Sequence, residues 1–279
     1  MRIVPAILTH YICGDQMLQC LKNQGLKKLL TDHRQVFNFG TQGADILYFC
    51  NILPWESNFG QKLHKISLSI FIKNAMNYIM KQEENDRNLL VAYLCGYVSH
   101  YALDSTTHPY IYYKAGFEKH DKLSSFKYRY YHYKFEYIID ILLFDEMIKI
   151  KLSNLNPKQL INVSKSEMSA VSRMYKNIIY DIFKEKISEK QISNSINNII
   201  TIESFLYKIL LKTTYLVNLN KNANLFNMEH SLWFTPWDNT KKSTLSFIEM
   251  FEESIQEAKV ICESIYRESR GQESRGQVP

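Results

Sequence analysis

The chain has few of the residues that interrupt or cross-link a fold. It contains only nine Gly, six Pro and five Cys in 279 residues. The scarcity of Gly and Pro leaves few obligatory turns, which favours long helices over many short strands. The cysteines are odd in number, lack C-x-x-C spacing and mostly have apolar neighbours. They indicate buried free thiols in a reducing compartment rather than a disulfide framework or a zinc ribbon.

Long apolar runs and strong charge are also missing. The apolar run at the N-terminus is interrupted by His10 and Asp15 before a signal-peptide core could develop. No segment has the length that a membrane span needs. The net charge of +6 is spread along the chain and favours anionic substrates only weakly. We therefore predict a cytoplasmic protein without a signal peptide or transmembrane segment.

Helix signals occur along most of the sequence. Three pairs have the spacing of helix N-termini: Asn156 with Pro157, Ser164 with Glu167, and Ser188 with Gln191. From Thr240 to Tyr266, apolar residues recur at steps of three and four, which predicts a long amphipathic closing helix packed on the core. With 46% hydrophobic residues and no internal repeat, the sequence predicts a single all-α, multi-helix domain over residues 1–267.

The last residues have a different composition. Residues 268–279 read ESRGQESRGQVP, a direct repeat of five polar residues without an apolar anchor. Such a segment buries too little apolar surface to offset the entropy lost on ordering. We predict a disordered low-complexity tail, of natural or artificial origin.

The most informative residues are His and acidic side chains at helical intervals. His100, Asp104 and His108 are four residues apart, as are His132 and Glu136. Residues four apart share one face of a helix, so two such helices packed together would enclose a cluster of ligands. Burying these groups without a metal or countercharge would be costly. Imidazole and carboxylate are the donors of catalytic zinc, so the spacing predicts a zinc-dependent hydrolase with a metal cleft between helices.

Weaker candidates add to this set. Asp45 follows a Gly-flanked loop, and His10 and His64 lie in apolar segments. Alone, each His has a simpler interpretation as a hydrogen-bonded core residue, and Asp45 as a turn or cap residue. Asp140, four residues after Glu136, is a candidate for orienting a ligand from behind.

A Tyr-rich run lies between these motifs. It extends from Tyr110 to Tyr137 and is interleaved with lysines. Half-buried packing is the more common role of such a run. Lining a substrate cleft or stacking on bases is the alternative.

Taken in order, the motifs LTHYICG, GTQGADILYF, QKLH, HYALDSTTHPYI and HYKFE resemble the zinc-dependent phospholipase C family, which is related to zinc-dependent single-strand nucleases. The resemblance covers about the first half of the chain, and EHSLWFTPW before the last helix is also similar. It implies an all-α fold with a cleft that holds two to three zinc ions.

The resemblance also implies a ligand set and a role for one carboxylate. It assigns Asp45, His64, His100 and Asp104 to the first zinc, His108, His132 and Glu136 to the second, and His10 with Asp104 to the third. Asp104 would then bridge two ions, and Asp45 would be the catalytic base. Secreted members also use an N-terminal Trp at the third ion, and MRIVPAILTH has no counterpart to it.

The predicted function is hydrolysis of a phosphodiester by a metal-activated water. A glycerophospholipid or a soluble phosphodiester is the first-choice substrate, with transient contact to a membrane surface. Nucleic acid is the second choice, in a single-strand nuclease or nucleotidase. Two further alternatives are a cytoplasmic biosynthetic enzyme acting on a non-phosphate bond and a protein whose zinc is purely structural. No protein partner is predicted.

Overall fold

The computed structural model describes residues 7–48, 50, 58–117, 124–148, 157–214 and 225–271. This part of the chain is mostly helical, as the sequence predicted. Its helices are, in chain order, α1 (Ile7–Cys20), α2 (Gln24–Asp32), α3 (Arg34–Gly40), α4 (Phe59–Leu63), α5 (Leu68–Ile79), α6 (Glu84–Lys114), α7 (Ser124–Ile148), α8 (Pro157–Leu160), α9 (Lys165–Phe183), α10 (Glu189–Thr214) and α11 (Phe247–Ser269). A 3-10 helix, Gly43–Leu47, lies between α3 and α4, and a small antiparallel sheet of β1 (Trp233–Thr235) and β2 (Asp238–Ser243) precedes α11.

Helix α6 is the centre of the fold. Its segment from Leu90 to His100 is buried on every side, which is typical of a helix enclosed by others. It packs most extensively against α11 and α3. A Cβ atom on Gly40 of α3 or on Gly96 of α6 would lie 2.2 Å from a backbone carbonyl oxygen of the other helix. The two glycines therefore let the backbones touch, which brings the 3-10 helix after α3 against α6.

The predicted helix starts agree with the structure where it describes them. Ser164 forms a capping box with Glu167 at the start of α9. Ser188 and Gln191 exchange the equivalent hydrogen bonds before α10. Helix α8 begins at Pro157, whereas the predicted cap residue before it lies outside the described residues.

The predicted start of the closing helix is wrong. Thr240 lies in β2, and α11 begins only at Phe247. The Ser246 hydroxyl accepts a hydrogen bond from the Glu249 N–H, and the Glu249 carboxylate accepts one from the Ser246 N–H. This capping box sets the helix start, and the residues before it pair as a hairpin. Helix α11 ends at Ser269, and residues 272–279, which hold most of the polar repeat, lie outside the described residues.

Two expectations from composition can be compared with the fold. All five cysteines are free thiols, and all but Cys20 are buried. Within the described ranges, no helix combines the length and apolar character that crossing a bilayer requires.

Candidate metal centre

The ligand candidates from the sequence converge on one cleft of about 340 Å³. They come from α1, the 3-10 helix, the end of α4, α6 and α7. The cleft is lined by all eight of them: His10, Asp45, His64, His100, Asp104, His108, His132 and Glu136. Residues up to 126 positions apart in sequence therefore form a single polar site.

Helix α6 supplies the middle of the site. His100, Asp104 and His108 project from one face because they are four residues apart. Asp104 Oδ2 lies 3.2 Å from His100 Nε2, and its other oxygen, Oδ1, lies 3.2 Å from His108 Nε2. The Asp104 carboxylate therefore lies between two imidazoles, with one oxygen toward each.

Helix α7 closes one side. Glu136 Oε1 lies 2.9 Å from His132 Nε2, one turn away on the same helix. The same oxygen is 3.5 Å from His108 Nε2 of α6. These three side chains form a compact group, with all donor atoms within 4.8 Å of one another.

The 3-10 helix and the end of α4 form the opposite side. Asp45 Oδ1 is 3.2 Å from His64 Nε2, and Asp45 Oδ2 is 3.8 Å from His100 Nε2. His10 of α1 completes a third group, because its Nε2 lies 3.4 Å from Asp104 Oδ1 and its ring stacks on His100 at 4.2 Å. His100 thus belongs to two groups, one with Asp45 and His64 and one with His10 and Asp104.

The imidazole tautomers suit metal binding. His64 Nδ1 lies 2.7 Å from the Gly60 carbonyl oxygen and His100 Nδ1 lies 3.2 Å from the Thr41 carbonyl oxygen. Because a carbonyl only accepts, both Nδ1 atoms donate, which leaves the Nε2 lone pairs directed into the site in the neutral rings. His100 Nε2 is buried close to Asp104 without hydrogen-bond geometry. That arrangement is expected of two atoms that share an ion.

The spacing and chemistry of these donors fit zinc. Ligand atoms at 2.0–2.1 Å from a tetrahedral ion lie about 3.4 Å apart. The His–carboxylate distances within the three groups are 2.9–3.8 Å. Imidazole-rich sets favour zinc over magnesium or calcium, which prefer oxygen alone.

The buried carboxylates of the site require positive charge next to them. Burial would lower the pKa of His64 and His108, but neighbouring carboxylates outweigh it and raise both pKa values to about 9. Burial would likewise raise the pKa of Asp104, yet the charges of its imidazole neighbours hold it well below its usual range. Without metal, protons on imidazole thus balance the carboxylates. Zinc must displace these protons to bind.

His10 differs from the other imidazoles. Burial, together with the charge of His100, lowers the pKa of His10 to about 4. The ring is therefore neutral near pH 7. Its Nδ1 is buried without a hydrogen-bond partner among the described residues.

The 3-10 helix that carries Asp45 is held by hydrogen bonds from residues far away in sequence. The Tyr175 hydroxyl of α9 donates to the Gly43 carbonyl oxygen at 3.1 Å, and the Ser195 hydroxyl of α10 donates to the Ile46 carbonyl oxygen at 2.6 Å. Both hydroxyls are buried. No local pattern marked these residues in the sequence, because each acts on a segment more than 130 positions away.

Gly43 adds a steric constraint to this segment. Its φ of +54° lies in the left-handed region, and an added Cβ would lie 2.0 Å from Cδ2 of His100. The His100 ring therefore packs directly on the glycine.

Asp140 lies behind the site. Its carboxylate accepts hydrogen bonds from the backbone N–H groups of Leu8 and Thr9, at 3.0 and 2.8 Å. It therefore anchors the first turn of α1, the helix that carries His10. The Thr9 hydroxyl also donates to this carboxylate.

Aromatic side chains complete the cleft walls. The cleft-lining aromatic residues that the site prediction left out are Tyr48, Tyr97, Tyr101, Tyr112 and Trp237. Trp237 comes from the turn between the two strands and meets Tyr112 with ring centroids 5.4 Å apart. Tyr112 belongs to the Tyr-rich run, which therefore contributes both packing and cleft lining. The hairpin was not predicted from the sequence, so Trp237 was not predicted as a residue of the cleft.

Comparison with known families agrees with this geometry. The sequence model of the family described as zinc dependent phospholipase C matches residues 9–208, which is more than half of the chain. The chain therefore belongs to the zinc-dependent phospholipase C family. Neither the comparison with curated proteins nor that with solved structures gave a match. The protein is thus a phospholipase C-type zinc-dependent hydrolase by family, with groups of His and acidic residues able to hold the metal.

Proposed function

We propose that this protein hydrolyses a phosphodiester, with a glycerophospholipid or a soluble phosphodiester as substrate. The observation that carries the proposal is the set of three adjoining ligand groups that open on one cleft. The family match to zinc-dependent phospholipase C supports the reaction class. The described lining of the cleft contains no Lys or Arg. An anionic phosphate therefore needs another source of positive charge.

The proposed ligand sets adjust the three groups, so that Asp104 rather than His100 is shared between the first and third ions. The first ion takes Asp45, His64, His100 and Asp104, the second takes His108, His132 and Glu136, and the third takes His10 and Asp104, so two to three ions are bound. The two oxygens of Asp104 support its shared role, because Oδ2 lies 3.2 Å from His100 of the first set and Oδ1 lies 3.4 Å from His10 of the third. When bound, zinc would supply an acidified water and positive charge beside the phosphate.

Asp45 is the proposed general base. Its Oδ1 is 3.2 Å from His64 Nε2, while its Oδ2 lies farther, 3.8 Å, from His100 Nε2. Oδ2 is therefore the better placed atom to take a proton from the attacking water as the new P–O bond forms. The bond from phosphorus to the alcohol oxygen breaks, the alkoxide takes a proton from a solvent water, and Asp45 returns its own proton to solvent.

Two tyrosines at the cleft would bind the substrate. Burial, with smaller contributions from the carboxylates Glu136, Asp104 and Asp45, raises the pKa of Tyr112 to about 12. Burial also raises the pKa of Tyr48. Both hydroxyls stay protonated near neutral pH and can donate hydrogen bonds to phosphate oxygens. The aromatic walls also limit the access of bulk water.

The test is hydrolysis of a chromogenic phosphocholine ester by Asp45→Asn. We expect the variant to keep most of its zinc, because three other residues hold the first ion, but to lose turnover by about 10²-fold or more, the typical contribution of a general base. Asp86→Asn is the matched control, since Asp86 is half-buried, pairs with Arg173 and does not line the cleft. Full turnover in Asp45→Asn would remove Asp45 from the role of base.

A second candidate is a single-strand nuclease. The observation that favours it is the pair of aromatic rings, Tyr112 and Trp237, in the wall of the cleft, because such rings stack on bases. Zinc-dependent release of nucleotides from single-stranded DNA, with no hydrolysis of phosphocholine esters, would select this function instead.

A further inference from the structure

Exposed apolar side chains of this protein cluster in the segment before α11, which also supplies one residue of the cleft wall. Ten large hydrophobic residues are exposed in the described part of the chain, and four of these lie between positions 228 and 237. They are Met228, Leu232, Phe234 and Trp237, with 58, 60, 40 and 44% exposure. We call these four residues the hairpin patch. It lies beyond residues 9–208, so the family match does not assign it a role.

Strand β1, which carries part of the hairpin patch, is fixed to the core of the protein. Leu232 and Phe234 alternate with Trp233 and Thr235, which are buried. The Trp233 indole packs 5.4 Å from the Tyr110 ring and donates a hydrogen bond to the Leu245 carbonyl oxygen at 3.0 Å. One face of β1 is thus fixed to α6, and its other face holds apolar side chains toward solvent.

The buried amide of Asn227 fixes the turn before the hairpin. Its nitrogen lies 3.0–3.1 Å from the carbonyl oxygens of Ser231, Thr244 and Leu245. Residues on both sides of the hairpin are therefore tied to one side chain. The exposure of Met228 and Leu232 thus belongs to a folded segment with defined hydrogen bonds.

The hairpin patch is continuous with the candidate metal centre. Trp237 lines the cleft and contacts Tyr112, and Phe234 packs 4.9 Å from Tyr113. A substrate that leaves an apolar surface beside the hairpin would therefore enter the cleft directly. A soluble substrate would need no such surface.

The charge next to the patch also suits a lipid surface. Lys242 pairs with Phe234 across the two strands, so both side chains lie on the exposed face. An apolar side chain flanked by a flexible lysine matches the boundary between acyl chains and anionic headgroups. Lys241, the neighbouring cation, forms a loose pair with Asp238, with Nζ and Oδ2 4.0 Å apart.

We propose that the hairpin patch docks this enzyme on the surface of a phospholipid bilayer, with Leu232 and Phe234 inserted and Lys242 at the headgroups. The inference rests on the proposed phosphodiester function and names the form in which the substrate is met. Single-stranded nucleic acid fits the patch less well. Leu232 and Met228 offer no ring for stacking, and a nucleic-acid groove needs a series of cations along the backbone.

The experiment measures vesicle binding and turnover of the full chain separately. Binding is followed by cosedimentation with sucrose-loaded vesicles of phosphatidylcholine containing phosphatidylserine. Turnover is measured on a monomeric phosphocholine ester and on the same vesicles. The variants are Leu232→Ser alone, Leu232→Ser with Phe234→Ser, and Lys242→Glu. Val260→Ser is the matched control, because Val260 is 59% exposed on α11 and lies outside the hairpin patch.

We expect the double variant to bind vesicles about tenfold more weakly or worse, since two large apolar side chains lose their burial in lipid. Leu232→Ser and Lys242→Glu should each weaken binding less, and Val260→Ser should bind as the unmodified chain does. Turnover of the monomeric ester should stay unchanged in all four. If the loss of Phe234 disturbs the strand, the single variant Leu232→Ser still tests the proposal, because it leaves Phe234 in place.

Three outcomes would overturn the proposal, and a fourth would separate it from the proposed function. Equal vesicle binding by the unmodified chain and the double variant would do so, as would no binding of the unmodified chain to vesicles. Binding of a single-stranded oligonucleotide that depends on Leu232 and Phe234, without vesicle binding, would assign the patch to nucleic acid. Patch-dependent vesicle binding without turnover of any phosphodiester would uphold the surface and refute the proposed function.

Discussion

Replacing Gly43 by Ala tests the geometry of the metal centre most sharply. The added Cβ would lie 2.0 Å from Cδ2 and 2.6 Å from Nε2 of the His100 ring. Carbon atoms in contact need about 3.5 Å, so the ring or the 3-10 helix must move by about 1.5 Å. Zinc sites tolerate deviations of about 0.2 Å in ligand distance. His100 therefore cannot remain a ligand, and both groups that contain it are disrupted.

Gly116→Ala is the matched control for this prediction. Gly116 has a φ of +71°, similar to the +54° of Gly43, but an added Cβ there meets no atom of the described residues within 4 Å. Both substitutions force Ala into the left-handed region, at a cost of about 1–2 kcal/mol in the free energy of unfolding. Only the substitution at Gly43 also displaces a ligand.

The assay is zinc content per folded chain, measured by mass spectrometry after dialysis against a weak chelator, with denaturant unfolding of both variants. We expect Gly116→Ala to keep the zinc of the unmodified chain and Gly43→Ala to lose most of the zinc that depends on His100. The reasoning is refuted if the two variants retain equal zinc, because His100 would then be dispensable or able to bind after moving.

The remaining predictions concern the shared carboxylate, the support of Asp45 and the metal itself. Asp104→Ala should lower zinc content by more than one ion per chain, and retention of all zinc in metal analysis would contradict a bridging role. Tyr175→Phe removes the hydroxyl that holds Gly43. It should cost about 1 kcal/mol in unfolding free energy and reduce turnover. Tyr180→Phe, an exposed change on the same helix, should do neither, and equal turnover in the two variants would count against support of Asp45. A strong chelator should lower the unfolding temperature and zinc should restore it; a temperature indifferent to both would argue against a bound metal.

The candidate ligands on α6 and α7 were predictable because the signal is local. On α6 and α7 the spacing of four residues places the side chains on one face, whatever the rest of the fold does. His10, Asp45 and His64 are isolated in sequence, and only their order among the motifs pointed to them. The described structure brings all of these candidates to one cleft.

The support and the walls of the site depend on tertiary contacts and could not be predicted. Tyr175 and Ser195 act on carbonyl oxygens of a segment far away in sequence, and nothing near either residue marks it. The part of β2 from Thr240 onward was assigned to the closing helix, and no structure was predicted for the residues before it. The capping box at Ser246 and Glu249 was the missed signal. Without the hairpin, neither Trp237 nor the hairpin patch could be recognised.

The most direct test of the account is zinc stoichiometry of the purified protein, measured together with hydrolysis of a phosphocholine ester before and after chelation. The account predicts two to three zinc ions per chain, loss of turnover on chelation and its recovery with zinc. A protein that binds no zinc would contradict the metal centre. Full zinc loading without hydrolysis of any phosphodiester would contradict the proposed function.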